Sequence, residues 1–193
     1  MTEPLPSIAG AERLIVVVGP SGAGKDSVLR AWRSELGAAA PVVARRVITR
    51  APESSDPTEA HEAVTGADFA GMRARGLLAT WWQAHGLDYG VRWQQLEPLA
   101  AGRWVVLNGS RAHLPALRAQ APGLRVVALS APAPLRAQRL AARAREDAFA
   151  REQRLVREIA DPVDADLALV NEGELRHSVD ALHQWWERVR AAG

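Results

Sequence analysis

Gly19-Pro20-Ser21-Gly22-Ala23-Gly24-Lys25 is the stretch on which this chain turns, because it holds the only lysine among twenty-four basic residues, every other one being arginine. Lysine is kept where a compact ammonium is needed and a planar, directional guanidinium would not fit. Glycines at this spacing let backbone N–H groups curl around phosphate oxygens, while the lysine reaches the β- and γ-phosphates of a nucleoside triphosphate. The flanks agree. Leu14-Ile15-Val16-Val17-Val18 is the unbroken apolar run of a strand buried on both faces. Beyond the loop, Val28, Leu29, Trp32 and Leu36 recur at helical spacing and Gly37 stops the helix. Strand, loop and helix in that order aim the helix N-terminus at an anion. Gly19, Pro20, Ser21, Gly22, Ala23, Gly24, Lys25, Asp26 and Ser27 are the expected ATP-binding residues, with Lys25 also catalytic.

Loops of this kind usually place Ser or Thr after the lysine to hold Mg²⁺. Here Asp26 stands there and Ser27 follows. A carboxylate is a hard oxygen ligand for magnesium, directly or through water. Asp26 takes that role, or Ser27 does by a one-residue shift; the other reading is that Asp26 only complements the positive end of the helix dipole. ATP and Mg²⁺ are the expected cofactors.

The 193 residues suffice for one well-buried domain. Net charge is only +2, so nucleic-acid binding is not implied. The absence of cysteine excludes disulfides, thiolate catalysis and zinc-thiolate sites. The N-terminal stretch lacks the basic and apolar regions of a signal peptide, and no apolar run reaches membrane-spanning length. A soluble cytoplasmic protein with no membrane partner is expected, its oligomeric state left open.

Strands are expected at 42–48, 104–107, 124–129 and 166–170, and helices at 111–120, 133–145, 149–160 and 174–190. The alternation predicts an α/β, three-layer P-loop NTPase fold with a mainly parallel central sheet. Residues 1–12 read as a flexible N-terminus and 13–193 as the kinase domain. Between 49 and 91 the pattern breaks into a polar loop at 51–60, a short helix near 68–75 and a tryptophan-rich strand. This segment reads as an inserted acceptor-binding subdomain.

Phosphoryl transfer is mostly positioning and charge neutralisation, so arginines must converge on the phosphates. Arg45-Arg46-Val47-Ile48-Thr49-Arg50 ends the second expected strand, at the edge where open α/β sheets bind ligands. Arg136, Arg139, Arg143, Arg145 and Arg151 lie where a lid over 136–151 would close. Arg46 and Arg50 are assigned to the acceptor, and Arg143 and Arg145 to the transferred group. Arg118, Arg125, Arg188 and Arg190 read as solvated.

The loop, Thr49-Arg50 and Leu87-Asp88-Tyr89-Gly90 resemble the guanylate kinases in kind and order. Gly24-Lys25-Asp26-Ser27, Arg46-Val47-Ile48-Thr49-Arg50, Leu175-Arg176-His177-Ser178-Val179-Asp180 and above all Val106-Leu107-Asn108-Gly109-Ser110-Arg111-Ala112-His113-Leu114-Pro115 are more specific, and resemble the ribose 1,5-bisphosphate phosphokinases across residues 13 to 185. The resemblance implies ATP-dependent phosphorylation of the 1-phosphate of a phosphosugar, ribose 1,5-bisphosphate, to 5-phosphoribosyl diphosphate, in the setting of phosphonate breakdown and NAD synthesis. It marks His61 and Tyr89 as substrate contacts. Asn108, Ser110, Arg111 and His113 supply hydroxyl and phosphate partners.

Two other functions are weighed. A guanylate kinase needs carboxylates for the guanine edge, yet Trp81-Trp82-Gln83-Ala84-His85 precedes the Tyr-Gly turn and the third strand runs into Asn108-Gly109-Ser110. A non-catalytic binding module of the same fold would tolerate a degraded loop, which this one is not. Of the remaining residues, Trp81 and Trp82 should face opposite sides of a strand, one in the core. Trp32, Trp185 and Trp186 read as helix packing. Asn171 is a candidate adenine contact, and His85 and His113 lack a second ligand at metal-binding spacing.

Overall fold

Five consecutive apolar residues, all buried, form β1 (Leu14–Val18), and the glycine loop after it opens helix α1 (Lys25–Leu36). The computed structural model describes residues 6–50, 61–142 and 163–192. The elements continue as β2 (Val42–Val43), β3 (Arg46–Ile48), β4 (His61–Ala63), α2 (Gly66–Ala74), β5 (Leu78–Ala84), β6 (Leu87–Arg92), α3 (Glu97–Ala100), β7 (Val105–Asn108), α4 (Leu114–Gln120), β8 (Arg125–Ser130), α5 (Ala133–Ala142), β9 (Leu167–Val170) and α6 (Leu175–Ala192). They fall into two units, Met1–Val16 with Pro41–Arg125 and Val17–Ala40 with Val126–Gly193, so that β1 is divided between them.

The first unit carries strands in the order β2-β7-β1 and a second sheet in the order β4-β3-β6-β5. β2 runs parallel to β7. In the second sheet β3 is parallel to β4 and antiparallel to β6, which pairs antiparallel with β5. Val47, Phe69, Met72 and Leu78 form its core, with Val64 and Trp81 packed against them. Gly90 belongs to this packing, because a Cβ there would lie 2.9 Å from a Leu78 methyl. Thr65 caps α2: its hydroxyl accepts from the Asp68 N–H at 3.1 Å and donates to the Asp68 carboxylate at 2.7 Å.

The expected strand 42–48 is two strands in two sheets. Ala44 N–H still donates to Val106 O at 2.8 Å, but Arg45 N–H turns to the Gln95 side chain at 2.9 Å. The ladder ends there, and β3 begins on new partners, with Arg46 opposite His61 and Val91. Arg46 therefore opens a strand of the smaller sheet instead of closing one of the parallel sheet. Hydrophobic pattern alone does not reveal a change of hydrogen-bonding partner.

The second unit carries the order β1-β8-β9, with β8 and β9 parallel from Val127 opposite Leu167 to Ser130 opposite Val170. α1 buries Val28, Leu29 and Trp32, and α6 buries Val179, Leu182, Trp185 and Trp186. Trp32 meets Trp186 edge to face, with centroids 5.5 Å apart. Each such fully buried side chain contributes on the order of 1.5–3 kcal/mol. The packing reading of Trp32, Trp185 and Trp186 agrees with this arrangement. Arg190, expected to be solvated, lies 4.8 Å from the centre of the Trp186 ring and pairs with Glu187 at 2.6 Å. The helix expected over 111–120 starts as a 3-10 turn, Arg111–His113, and becomes α4 at Leu114. The helix expected at 149–160 lies outside the described residues. Among the described residues no helix is long and apolar enough to cross a membrane.

Candidate active site

The phosphate loop is shaped by close approach as much as by flexibility. Gly24, with φ of 91°, caps α1, and a Cβ there would run into the Asn171 amide. A Cβ on Gly19 would collide with Leu129 O. The Lys25 ammonium donates to Gly19 O at 2.7 Å and Pro20 O at 3.1 Å, folded onto the start of its own loop. Two side chains grip the loop from α5 and from the end of β9. Arg139 donates to Gly22 O at 3.3 Å, Ala23 O at 3.4 Å and Asn171 O at 3.2 Å. Asn171 donates its amide to Ala23 O at 2.9 Å and accepts from Ser178 Oγ at 3.5 Å. Its N–H donates to Ser130 O at 2.8 Å. The side chain of Asn171, a residue read from sequence as contacting adenine through backbone or amide, is thus turned inward onto the loop backbone.

A hollow of about 430 Å³ opens here, lined by Gly22, Gly24, Ser27, Arg139, Asn171, Gly173 and Leu175, within the range of small-molecule sites. Asp26 lies in the first turn of α1 and Ser27 lines the hollow. These two hard oxygen donors fit Mg²⁺, an ion that takes most of its ligands from phosphates and water. Among the described residues no group of three His, Cys, Asp or Glu could hold a metal by itself.

The first unit gathers several residues expected at the acceptor. Arg46 is buried, donates to Asn108 O at 3.4 Å, and places its guanidinium 5.9 Å from the centre of the Tyr89 ring. Tyr89 stacks on Trp82 with centroids 5.5 Å apart and 8° between planes. Trp82 stacks in turn on His113 at 5.1 Å and 19°. His113 Nε2 lies 2.6 Å from Thr80 Oγ1, and Thr80 donates to Gln120 Oε1 at 3.0 Å. Burial pushes the His113 pKa below the usual imidazole value.

His61 is buried on β4, beside Arg46 in register, and its carbonyl accepts from Arg45 Nη2 at 3.0 Å. Next to it, Glu62 accepts both Arg92 Nε at 2.9 Å and Nη2 at 2.7 Å. That bidentate pair holds the Glu62 carboxyl below its ordinary value and raises Arg92. Arg50 follows β3 and Ser110 and Arg111 follow β7, on the segments flanking the ring stack instead of in it. Ser110 O accepts the His113 N–H at 3.1 Å. Arg143, Arg145 and Arg151 lie outside the described residues.

Sequence reasoning passed over Thr80 and Gln120, did not pair Trp82 with Tyr89 and His113, and did not assign Arg139 to the loop. The tryptophan pair carried a usable signal. Its alternation puts Trp81 against the Phe69 cluster, under the Arg73 guanidinium at 3.5 Å, and Trp82 on the opposite face.

No protein-family model matches the chain. It is 44% identical over 179 residues to a ribose 1,5-bisphosphate phosphokinase PhnN of Pseudomonas fluorescens, spanning 89% of this chain and 93% of that protein. It is 48% identical over 161 residues to the protein of that name from Acidiphilium cryptum, spanning 83% and 84%. The guanylate kinase of Anaplasma phagocytophilum shares the fold, with a TM-score of 0.66 at 16% identity over 96% of this chain and 87% of the other. The mostly parallel α/β architecture is that of the guanylate kinase-like P-loop kinases, and at this level of sequence identity the chain belongs to the ribose 1,5-bisphosphate phosphokinase family.

Proposed function

We propose that the chain transfers the γ-phosphoryl group of ATP to the 1-phosphate of ribose 1,5-bisphosphate, giving ADP and 5-phosphoribosyl 1-diphosphate. The observation that carries this is the 44% identity across 93% of the Pseudomonas fluorescens protein, whose name states the substrate. An oxygen of the acceptor phosphate attacks the γ-phosphorus as the bond to the β-phosphate oxygen breaks. That oxygen is already ionised near neutral pH, so no general base is needed.

The loop N–H groups from Ser21 to Ser27 hold the triphosphate, and Lys25 exchanges the Gly19 and Pro20 carbonyls for β- and γ-oxygens. Asp26 and Ser27 would hold magnesium, which when bound would supply positive charge to the triphosphate. Arg46 and Arg50 grip the acceptor, with His61, Tyr89, Asn108, Ser110 and Arg111 contributing to its site. Arg143 and Arg145, in a lid over 136–151, neutralise the group in transfer. The acceptor-binding insertion spans 49–91 of a kinase domain over 13–193.

On this reading the product supplies NAD synthesis and the substrate arises in phosphonate breakdown. Both are multiply charged and retained in the cytoplasm, the compartment proposed for the enzyme. GMP is the runner-up acceptor. Against it, the polar side chains that meet the ring stack or Thr80 beneath it include Arg46, His113 and Gln120, none of them a carboxylate that could read a guanine edge.

The test is ADP release with ribose 1,5-bisphosphate and GMP offered separately, with Mg²⁺. Turnover on the sugar bisphosphate and little on GMP is expected. Preference for GMP would replace the proposal with the guanylate kinase reading, and nucleotide binding without turnover on either would favour a binding module.

A further inference from the structure

The hydrogen bonds beneath the ring stack can run in one direction only. Gln120 Nε2 donates to Ala79 O at 3.1 Å and Pro6 O at 3.4 Å. Both partners are carbonyls, which only accept, so the Gln120 amide cannot be flipped and Oε1 is the atom that meets Thr80. The Thr80 hydroxyl has one hydrogen, and Oε1 takes it at 3.0 Å. His113 Nε2, 2.6 Å from the same hydroxyl oxygen, must then be the donor. A neutral imidazole protonated on Nε2 carries a bare lone pair on Nδ1. Among the described residues Nδ1 has no hydrogen-bond partner, and it is not one of the buried, unpartnered polar atoms. The ring is clamped flat against Trp82, which is stacked on Tyr89, beside Arg46.

A fixed acceptor atom next to the acceptor-binding residues suits a hydroxyl and repels a phosphate oxygen. Arginines alone read only two phosphates at a given spacing, which many bisphosphates offer. An acceptor lone pair adds a contact that reads the sugar. We infer that His113, through Nδ1, is the specificity-determining contact for a ring hydroxyl of the sugar bisphosphate, with Thr80 and Gln120 as positioning residues that hold it in the accepting tautomer. Burial of the imidazole, which disfavours the cation, acts in the same sense. The inference rests on the phosphokinase reading.

The phosphoryl group moves between phosphate oxygens, so removing a ring hydroxyl leaves the reacting atoms unchanged and reports recognition. The full-length protein is assayed for kcat/KM with ribose 1,5-bisphosphate and with its 2-deoxy and 3-deoxy analogues. The unmodified protein is expected to favour the ribose compound over at least one analogue by about tenfold or more, because the deoxy form leaves Nδ1 unpaired. His113→Ala and Thr80→Val are expected to shrink that ratio to about twofold or less with KM for ATP unchanged, and Thr80→Ser to restore it. Thr80→Val keeps the side-chain shape and decides the matter if His113→Ala fails to fold. A ratio that survives in the folded variants, or no discrimination by the unmodified protein, overturns the role of His113 and leaves the phosphokinase reading intact. No turnover on ribose 1,5-bisphosphate at all overturns both.

Discussion

Asn171, the residue after β9, donates its side-chain amide to the carbonyl of Ala23, 148 positions earlier, at 2.9 Å. Both residues are buried, so this bond fixes the middle of the phosphate loop to the end of the sheet without help from solvent. Asn171→Ala leaves a buried carbonyl short of its donor and is expected to lose about 1–3 kcal/mol of stability and to weaken nucleotide binding. Asn171→Asp, nearly isosteric, turns an acceptor toward an acceptor and should lose at least as much. Urea unfolding and nucleotide titration check both; an Asp variant as stable as the parent would deny the bond any weight.

Gly24 and Gly37 separate conformational strain from collision. Both have positive φ, but a Cβ on Gly37 meets nothing within 4 Å whereas one on Gly24 strikes the Asn171 amide. Gly37→Ala should cost about 1–3 kcal/mol, the penalty for holding a Cβ residue in a sparsely populated positive-φ conformation. Gly24→Ala should cost more and reduce ATP affinity as well. Equal melting shifts in the two variants would remove the collision from the account.

The Lys25 ammonium donates to two carbonyls, at 2.7 and 3.1 Å. Lys25→Met is expected to lower kcat by on the order of 10²-fold or more, the scale of losing one electrostatic stabiliser of the transition state. Lys25→Arg should rescue little of it, since a guanidinium has a different shape. Steady-state kinetics with saturating acceptor tests this. Near-full activity of the Arg variant would show that charge alone suffices.

The Glu62–Arg92 pair carries an acid-side dependence. The folded carboxyl titrates below its ordinary 4.5 because Arg92 hydrogen-bonds its charged form. The unfolded chain therefore binds the proton first as pH falls, and the stabilisation, complete above about 4.5, is lost as pH drops through the folded value. The pair is partly solvated, which holds its contribution to about 1 kcal/mol or less. Glu62→Gln should lower stability by that amount at pH 7 and by nothing well below pH 4, by chemical denaturation at each pH.

His113 works with the opposite chemistry and the same sign. Its folded pKa is depressed below 6.5 by burial, so the unfolded state takes up the proton first. Stability should fall as pH drops below about 6.5 and level off once the folded pKa is passed. His113→Gln should flatten that segment of the pH–stability curve. An unchanged slope would mean the imidazole is not held neutral by the fold.

The local and periodic features are legible in the order of residues. The β1 run, the glycine loop, the single lysine and the face of α1 each follow from residues adjacent in the chain, where backbone sterics and hydrophobic period act directly. Which distant groups meet is set only once the chain has folded. The break between Val43 and Arg46 depends on Gln95, the inward turn of Asn171 on Ala23, and the tautomer of His113 on Thr80, Gln120 and the carbonyls of Ala79 and Pro6. Hydrogen-bond partners separated by dozens of residues leave no periodic trace, because the geometry that pairs them exists only after the chain has folded.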